Sequence, residues 1–208
     1  MSETTIHEML RQGTRDAHLR VERLVPILTF GSNRGAYCGY LARLLGFYAP
    51  MEASLGAHDW ASIGIDFERR RKAPLLEADL VSLGLEAASV SSLPRCPSLP
   101  SLPDLPSALG CAYVLEGATL GGRVLARLLG EPLGLSRSQG AAFFLAYGDD
   151  HEGMWQTFVA GLEAAIQGDE EGARALDVAR DTFERLGRWI EDDEGGSAHA
   201  SSTGAAAG

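Results

Sequence analysis

The chain has 208 residues, 45% of them hydrophobic and 22% charged, enough to build one soluble globular domain around a real core. Eighteen Lys and Arg stand against 28 Asp and Glu, a formal charge of −10, so there is no basic surface of the kind that binds a nucleic-acid backbone. The longest apolar runs, such as 41–51, are broken by Arg43 and Pro50 and fall short of the roughly 20 residues that span a bilayer. Residues 1–15 lack the basic start and apolar stretch of a secretory signal, so no membrane association and a cytoplasmic location are expected. Cys38, Cys96 and Cys111 are widely spaced and form no C-x-x-C pair, which makes them ordinary thiols.

In chain order, the patterning is helical and strand signals are almost absent. From a capping Ser2, the residues Leu10, Thr14, Ala17, Val21, Leu24 and Leu28 recur at spacings of three and four, predicting one amphipathic helix that ends near Pro26 to Gly31. Ser32 or Asn33 can cap a second helix through Tyr37, Leu41, Leu44, Tyr48 and Leu55, which Pro50 should kink or divide. A shorter helix is expected around Leu75 to Leu83. Prolines 94, 97, 100, 103 and 106 make 89–106 a Pro- and Ser-rich connector within a single domain spanning 1–194. Further helices are predicted over Ser107 to Leu129, from Ser136 or Ser138 to Gln167 with a break or bend at Gly148 to Gly153, and over Glu171 to Ile190. The Gly-, Ala- and Ser-rich tail, 195–208, is expected to be disordered.

No phosphate loop, dinucleotide fingerprint, H-E-x-x-H or nucleophile elbow is present, and no E-x-x-H pair supports a di-iron bundle. Two helices are unusual. On the first, Arg11, Arg15, His18 and Glu22 fall within a stripe about 60° wide at about 100° per residue. Beside the apolar stripe, His18 should sit at the border of the core, where its imidazole can meet a buried ligand while the arginines meet water. The bland alternative is a solvated edge with His18 paired to Glu22. Of the other histidines, His7 lies near a fraying end, His58 in a loop, His151 at an exposed helix bend and His199 in the tail.

The second unusual helix carries Gly110, Gly117, Gly121 and Gly122 among good helix formers. Interior glycines cost about 1 kcal/mol each relative to alanine, so something must approach that backbone closely. Positions 110, 114, 117, 121, 124 and 128 form one stripe, against which either a flat ligand or a neighbouring helix could pack. Haem meets the demands of both helices together: its iron takes an imidazole, its propionates take cations, and its other face needs a helix that can come very near the metal.

The segment Leu10 to His18, with a basic residue seven before the histidine and Thr-basic-x-x-His at its centre, resembles the proximal helix of the haem oxygenase family. The stretch Tyr113-Val114-Leu115-Glu116-Gly117-Ala118-Thr119-Leu120-Gly121-Gly122 resembles its distal helix. Phe143-Phe144, Tyr147-Gly148 and Gly153-x-Trp155-x-x-Phe158 resemble its later helical segment, closest to the bacterial branch associated with bacteriophytochromes. The resemblance implies an all-α single-domain bundle with haem sandwiched between a proximal and a distal helix. It implies an oxidoreductase that uses O2 and an external electron donor, a ferredoxin or reductase, to open haem to biliverdin with release of carbon monoxide and ferrous iron.

By the same resemblance His18 is the iron ligand, Arg11 and Tyr113 contact the propionates with Arg15 as a second cation, and Gly117, Gly121 and Gly122 belong to the distal contact. Where animal-type members carry a distal carboxylate, this chain has Ala118, which leaves Thr119 and Glu116 as nearby polar candidates for proton delivery. If the phytochrome association holds, the alpha isomer is expected, with a bacteriophytochrome as a partner. A donor could dock on Arg11, Arg15, Arg20 and Arg23, or on Arg69 to Lys72. The leading alternative is a non-catalytic haem storage or transfer protein of the same fold.

Overall fold

A computed structural model of the chain describes residues 5–25, 27–30 and 33–197, and among them every regular element is a helix. Ser2 lies outside the described residues, and α1, Ile6–Gly13, is capped instead by Thr5, whose hydroxyl accepts from the Glu8 amide at 3.1 Å. A second carboxylate from far along the chain serves the same helix end: Glu163 accepts from the amides of Ile6 at 3.1 Å and His7 at 2.8 Å, as a negative charge at a helix N-terminus should.

The single helix predicted for this region is two. α1 ends and α2, Arg15–Arg23, begins at Thr14, where φ is −102° and ψ −3°. The Thr14 hydroxyl turns back to the carbonyl of Leu10 at 2.7 Å, and the Gly13 carbonyl takes the Nε–H of Arg180 at 2.8 Å. The first is a local and the second a long-range hydrogen bond that competes with a straight helix here. Pro26, Gly31 and Ser32 lie outside the described residues; a short α3, Ile27–Phe30, precedes α4.

Asn33 caps α4, Arg34–Leu55, accepting from the Ala36 amide at 3.0 Å. Pro50 neither divides α4 nor ends it. The hydrogen bond that proline cannot make would have gone to Gly46, and the freed Gly46 carbonyl takes the amide of Cys96 at 2.9 Å. Gly46 also lets the chain pass closely, since a methyl there would stand 2.7 Å from the carbonyl of Pro94 and from the Trp189 ring.

α5, Ala73–Ser82, and a short α6, Ala87–Ser91, lead into the connector. α7, Leu105–Leu133, starts two residues before the expected Ser107, because Asp104 caps it at the Ser107 amide and Pro106 is tolerated in the first turn. The helix expected from Ser136 or Ser138 is absent before residue 148. Gly140 there has φ +77°, and buried Asp79 of α5 captures the amides of Ala142 at 2.7 Å and Phe143 at 2.8 Å, holding 136–147 as turns. α8, His151–Ala165, and α9, Asp169–Ser197, complete the fold; 198–208, most of the expected tail, lie outside the described residues.

α9 is the spine. Gly110 of α7 packs so tightly on Ala175 that a methyl would collide with the Ala175 carbonyl, and Gly13 lies against Leu176. Further along α9, Phe183 meets His18 and Gly187 faces Val21 and Leu24. Tyr37, Leu41, Leu45, Phe47 and Met51 of α4, Leu76 and Leu80 of α5, and Phe158 of α8 fill one continuous core with these helices. No described helix is long and apolar enough to cross a membrane.

Candidate functional site

α1 and α7 meet at Thr14 and Tyr113. Tyr113 is half-buried, and burial pushes the pKa of its phenol up while the Thr14 hydroxyl and the Arg11 guanidinium pull it back. The residues predicted to share an edge, Arg11 and Tyr113, therefore stand together. Arg11 is exposed with Glu8 at 3.5 Å, and Arg15 is exposed on the next turn.

One turn beyond Thr14 lies His18, its side chain 53% exposed, its ring edge-on to Phe183 with centroids 5.7 Å apart, and its Nδ1 3.7 Å from Glu22. One turn beyond Tyr113 lies Gly117. A turn is about 5.4 Å of helix, so an imidazole and a bare stretch of backbone both stand about that far from the same contact.

The four glycines of α7 divide into two kinds. Gly110 is covered by α9, and Gly122 is buried against Phe144, whose carbonyl would lie 3.0 Å from a methyl there. Those two are packing glycines, which corrects the expectation of one glycine face turned toward a ligand. A Cβ at Gly117 or Gly121, by contrast, would meet nothing within 4 Å. Leu120, Val124 and Leu128 continue this face with 43–58% of each residue exposed. Bare backbone followed by uncovered apolar side chains fits a flat, largely apolar group such as haem better than it fits a helix in water.

The polar candidates near Ala118 point elsewhere. Thr119 is buried and donates to the Glu116 carbonyl at 2.7 Å. The Glu116 carboxylate is buried between Arg70, at 2.6 Å, and Lys72, and it accepts from the Tyr147 hydroxyl at 2.8 Å. Burial first, and then the neighbouring Glu116 charge, push the Tyr147 phenol up. Glu52 adds a second buried carboxylate, which accepts from the amides of Lys72 and Ala73.

This network corrects the reading of Arg69 to Lys72 as a free basic patch. Arg70 and Lys72 are interior, Arg71 faces Glu52 and Glu68, and Arg69 faces Asp150 at 3.8 Å. Arg15, Arg20 and Arg23 of α2 are exposed.

Spacing arguments missed one residue beside Tyr113 and misjudged another histidine elsewhere. His7 is half-buried, one turn before Arg11, with its ring 5.6 Å from that of Trp155 and 6.3 Å from that of Tyr113. The available signal was that His7 precedes Arg11 by four on the stripe that continues to His18. His151 is not exposed as expected but half-buried, with Arg123 2.6 Å from its Nδ1.

The family model described as "Heme oxygenase" matches residues 4–192. A heme oxygenase of Xanthomonas campestris is 32% identical over 130 residues, 60% of this chain and 72% of that protein. The NO- and CO-bound heme oxygenase of Neisseria meningitidis superposes with a TM-score of 0.80 at 21% identity, covering 93% of this chain and 94% of that one. The heme oxygenase of Synechocystis, solved in complex with heme, gives 0.72 at 18% identity over 94% and 95% of the two chains. An all-α bundle with an open glycine face opposite a histidine helix, matched by the family model over almost its whole length, belongs to the haem oxygenase family.

Proposed function

We propose that this protein is a catalytically active haem oxygenase that opens haem to biliverdin, releasing carbon monoxide and ferrous iron, with electrons from a ferredoxin or reductase in the cytoplasm. The observation that carries this reading is the open backbone at Gly117 and Gly121, one and two turns from the Tyr113 contact, while His18 stands one turn from the same contact on the other helix. Bound haem supplies both the redox-active iron and the ring that is oxidised.

The chain's own residues hold and orient it. His18 would hold the iron through Nε2, with its Nδ1 on the side of Glu22 at 3.7 Å. Arg11, Arg15 and Tyr113 anchor the propionates by charge-assisted hydrogen bonds. Gly117 and Gly121 let the α7 backbone lie directly over the ring, and Gly122 seats α7 on Phe144. A backbone so close sterically selects the ring edge that is attacked. We assign the alpha edge, and a bacteriophytochrome as the acceptor of the product. With alanine at 118 and Glu116 tied to Arg70 and Lys72, proton delivery falls to backbone carbonyls and water.

Titrating the protein with ferric haem should give a Soret band that saturates at one haem per chain. That band should be lost or shifted in His18→Ala, and reductant in air should convert it to an extractable biliverdin. Ala118, in place of a distal carboxylate, favours one second reading, a haem storage or transfer protein. Haem that binds through His18 but persists under reductant would establish that reading instead.

A further inference from the structure

The Thr14–Tyr113 contact is bordered by hydrogen-bond donors that the fold leaves unused. Trp60 gives its indole N–H to the Leu55 carbonyl at 2.7 Å, and Trp189 gives its own to the Arg43 carbonyl at 2.8 Å. No described residue accepts the N–H of Trp155, although its ring packs 5.8 Å from that of Tyr113 and 5.6 Å from that of His7. Nor does any described residue bond a ring nitrogen of His7, whose backbone amide is fixed by Glu163 at 2.8 Å. Among the described residues only the Nε atoms of Arg43 and Arg70 are buried without a partner, so the ring nitrogens of His7 and Trp155 reach water in the free protein and can exchange it for a shared acceptor.

The acceptor the site calls for is an anion. Arg11 supplies a guanidinium beside Tyr113, and the nearby carboxylates are already engaged, Glu163 by two backbone amides and Glu8 by Arg11. Imidazole, indole, phenol and guanidinium thus gather around the Thr14–Tyr113 contact, a set of donors suited to a carboxylate.

We propose that His7 and Trp155 complete, with Arg11 and Tyr113, the pocket for one propionate of haem, each giving one N–H to it. The inference rests on the haem reading above and adds to it two residues that fix how the ring is turned about the His18 axis.

The test compares ferric haem with ferric haem dimethyl ester, whose carboxylates are masked, by following release from the whole protein to excess apomyoglobin at the Soret band. His7→Phe keeps a ring between Tyr113 and Trp155 and removes only the donor. Trp155→Phe does the same at the second position and carries the test if His7→Phe fails to fold. Each variant is expected to release haem roughly tenfold faster than wild type, and the ester within about twofold of wild type. Equal acceleration of both ligands would mean packing alone and overturn the pocket, as would unchanged release of haem. Failure of the wild type to take up haem would sink the functional reading itself, before any variant is made.

Discussion

At the scale of single residues, identical glycines on one helix carry opposite loads. Gly110 exists for a neighbour already present, whereas Gly121 exists for space. Gly110→Ala should destabilise the protein by about 1–3 kcal/mol through overpacking against Ala175. Gly121→Ala should leave the free protein unchanged or up to about 1 kcal/mol more stable, by helix propensity, yet weaken haem binding. Urea unfolding of both free variants, beside a haem titration of Gly121→Ala, separates the two roles; parallel losses of stability would refute the division. Helical spacing could group Arg11 with His18, and Gly117 with Gly121, because that geometry is local. It could not show that α9 covers Gly110 and leaves Gly117 bare, since that depends on where a partner 65 residues away in sequence, Ala175 against Gly110, crosses the helix.

At the scale of elements, caps and interior patterns were legible. Asn33 starts α4 as expected, and α5, α7 and α8 end within four residues of the expected points, whereas α9 runs past Ile190 to Ser197, into the stretch expected to be tail. The misread stretches are those decided by distant side chains. Arg180 reaches Gly13 across 167 positions to mark the α1–α2 joint, and Asp79 reaches Ala142 across 63 to hold turns where a helix was expected. Pro50 misleads for the same reason, its missing donor being replaced by the Cys96 amide.

The exposed arginines of α2 give this scale its own prediction. Because Arg20 and Arg23 are exposed while Arg70 and Lys72 are interior, α2 is the one of the two faces read from the sequence that stays open to the proposed ferredoxin donor. Charge reversal at Arg20 and Arg23 to Glu should slow ferredoxin-driven turnover several-fold, with an effect that shrinks as salt rises. Ascorbate-driven turnover should be spared, and equal losses with both donors would reject the α2 face.

At the scale of the whole molecule, an unusual share of titratable hydroxyls and thiols is buried. Burial pushes the Cys111 thiol up from about 9 to about 12, and it raises the phenols of Tyr37, Tyr40, Tyr48 and Tyr147. The folded state therefore keeps these protons at a pH where the unfolded chain has released them. Stability must fall as pH rises through the interval between the unfolded and folded values. Urea midpoints should hold near neutrality and drop progressively from about pH 9 to about pH 12; a flat profile would contradict the burial of these groups.

The joint at Thr14 divides the work of the first helical region between two clamps. Glu163 of α8 grips α1 by its leading amides, and the Phe183 to Gly187 stretch of α9 backs α2. Arg11 and His7 ride on one rod, and His18 rides on the other. Small rotations at residue 14 would tilt the imidazole while Arg11 and His7 stay with α1, so the proposed grip on the rim and aim at the centre could be tuned separately by substitutions on either side of it.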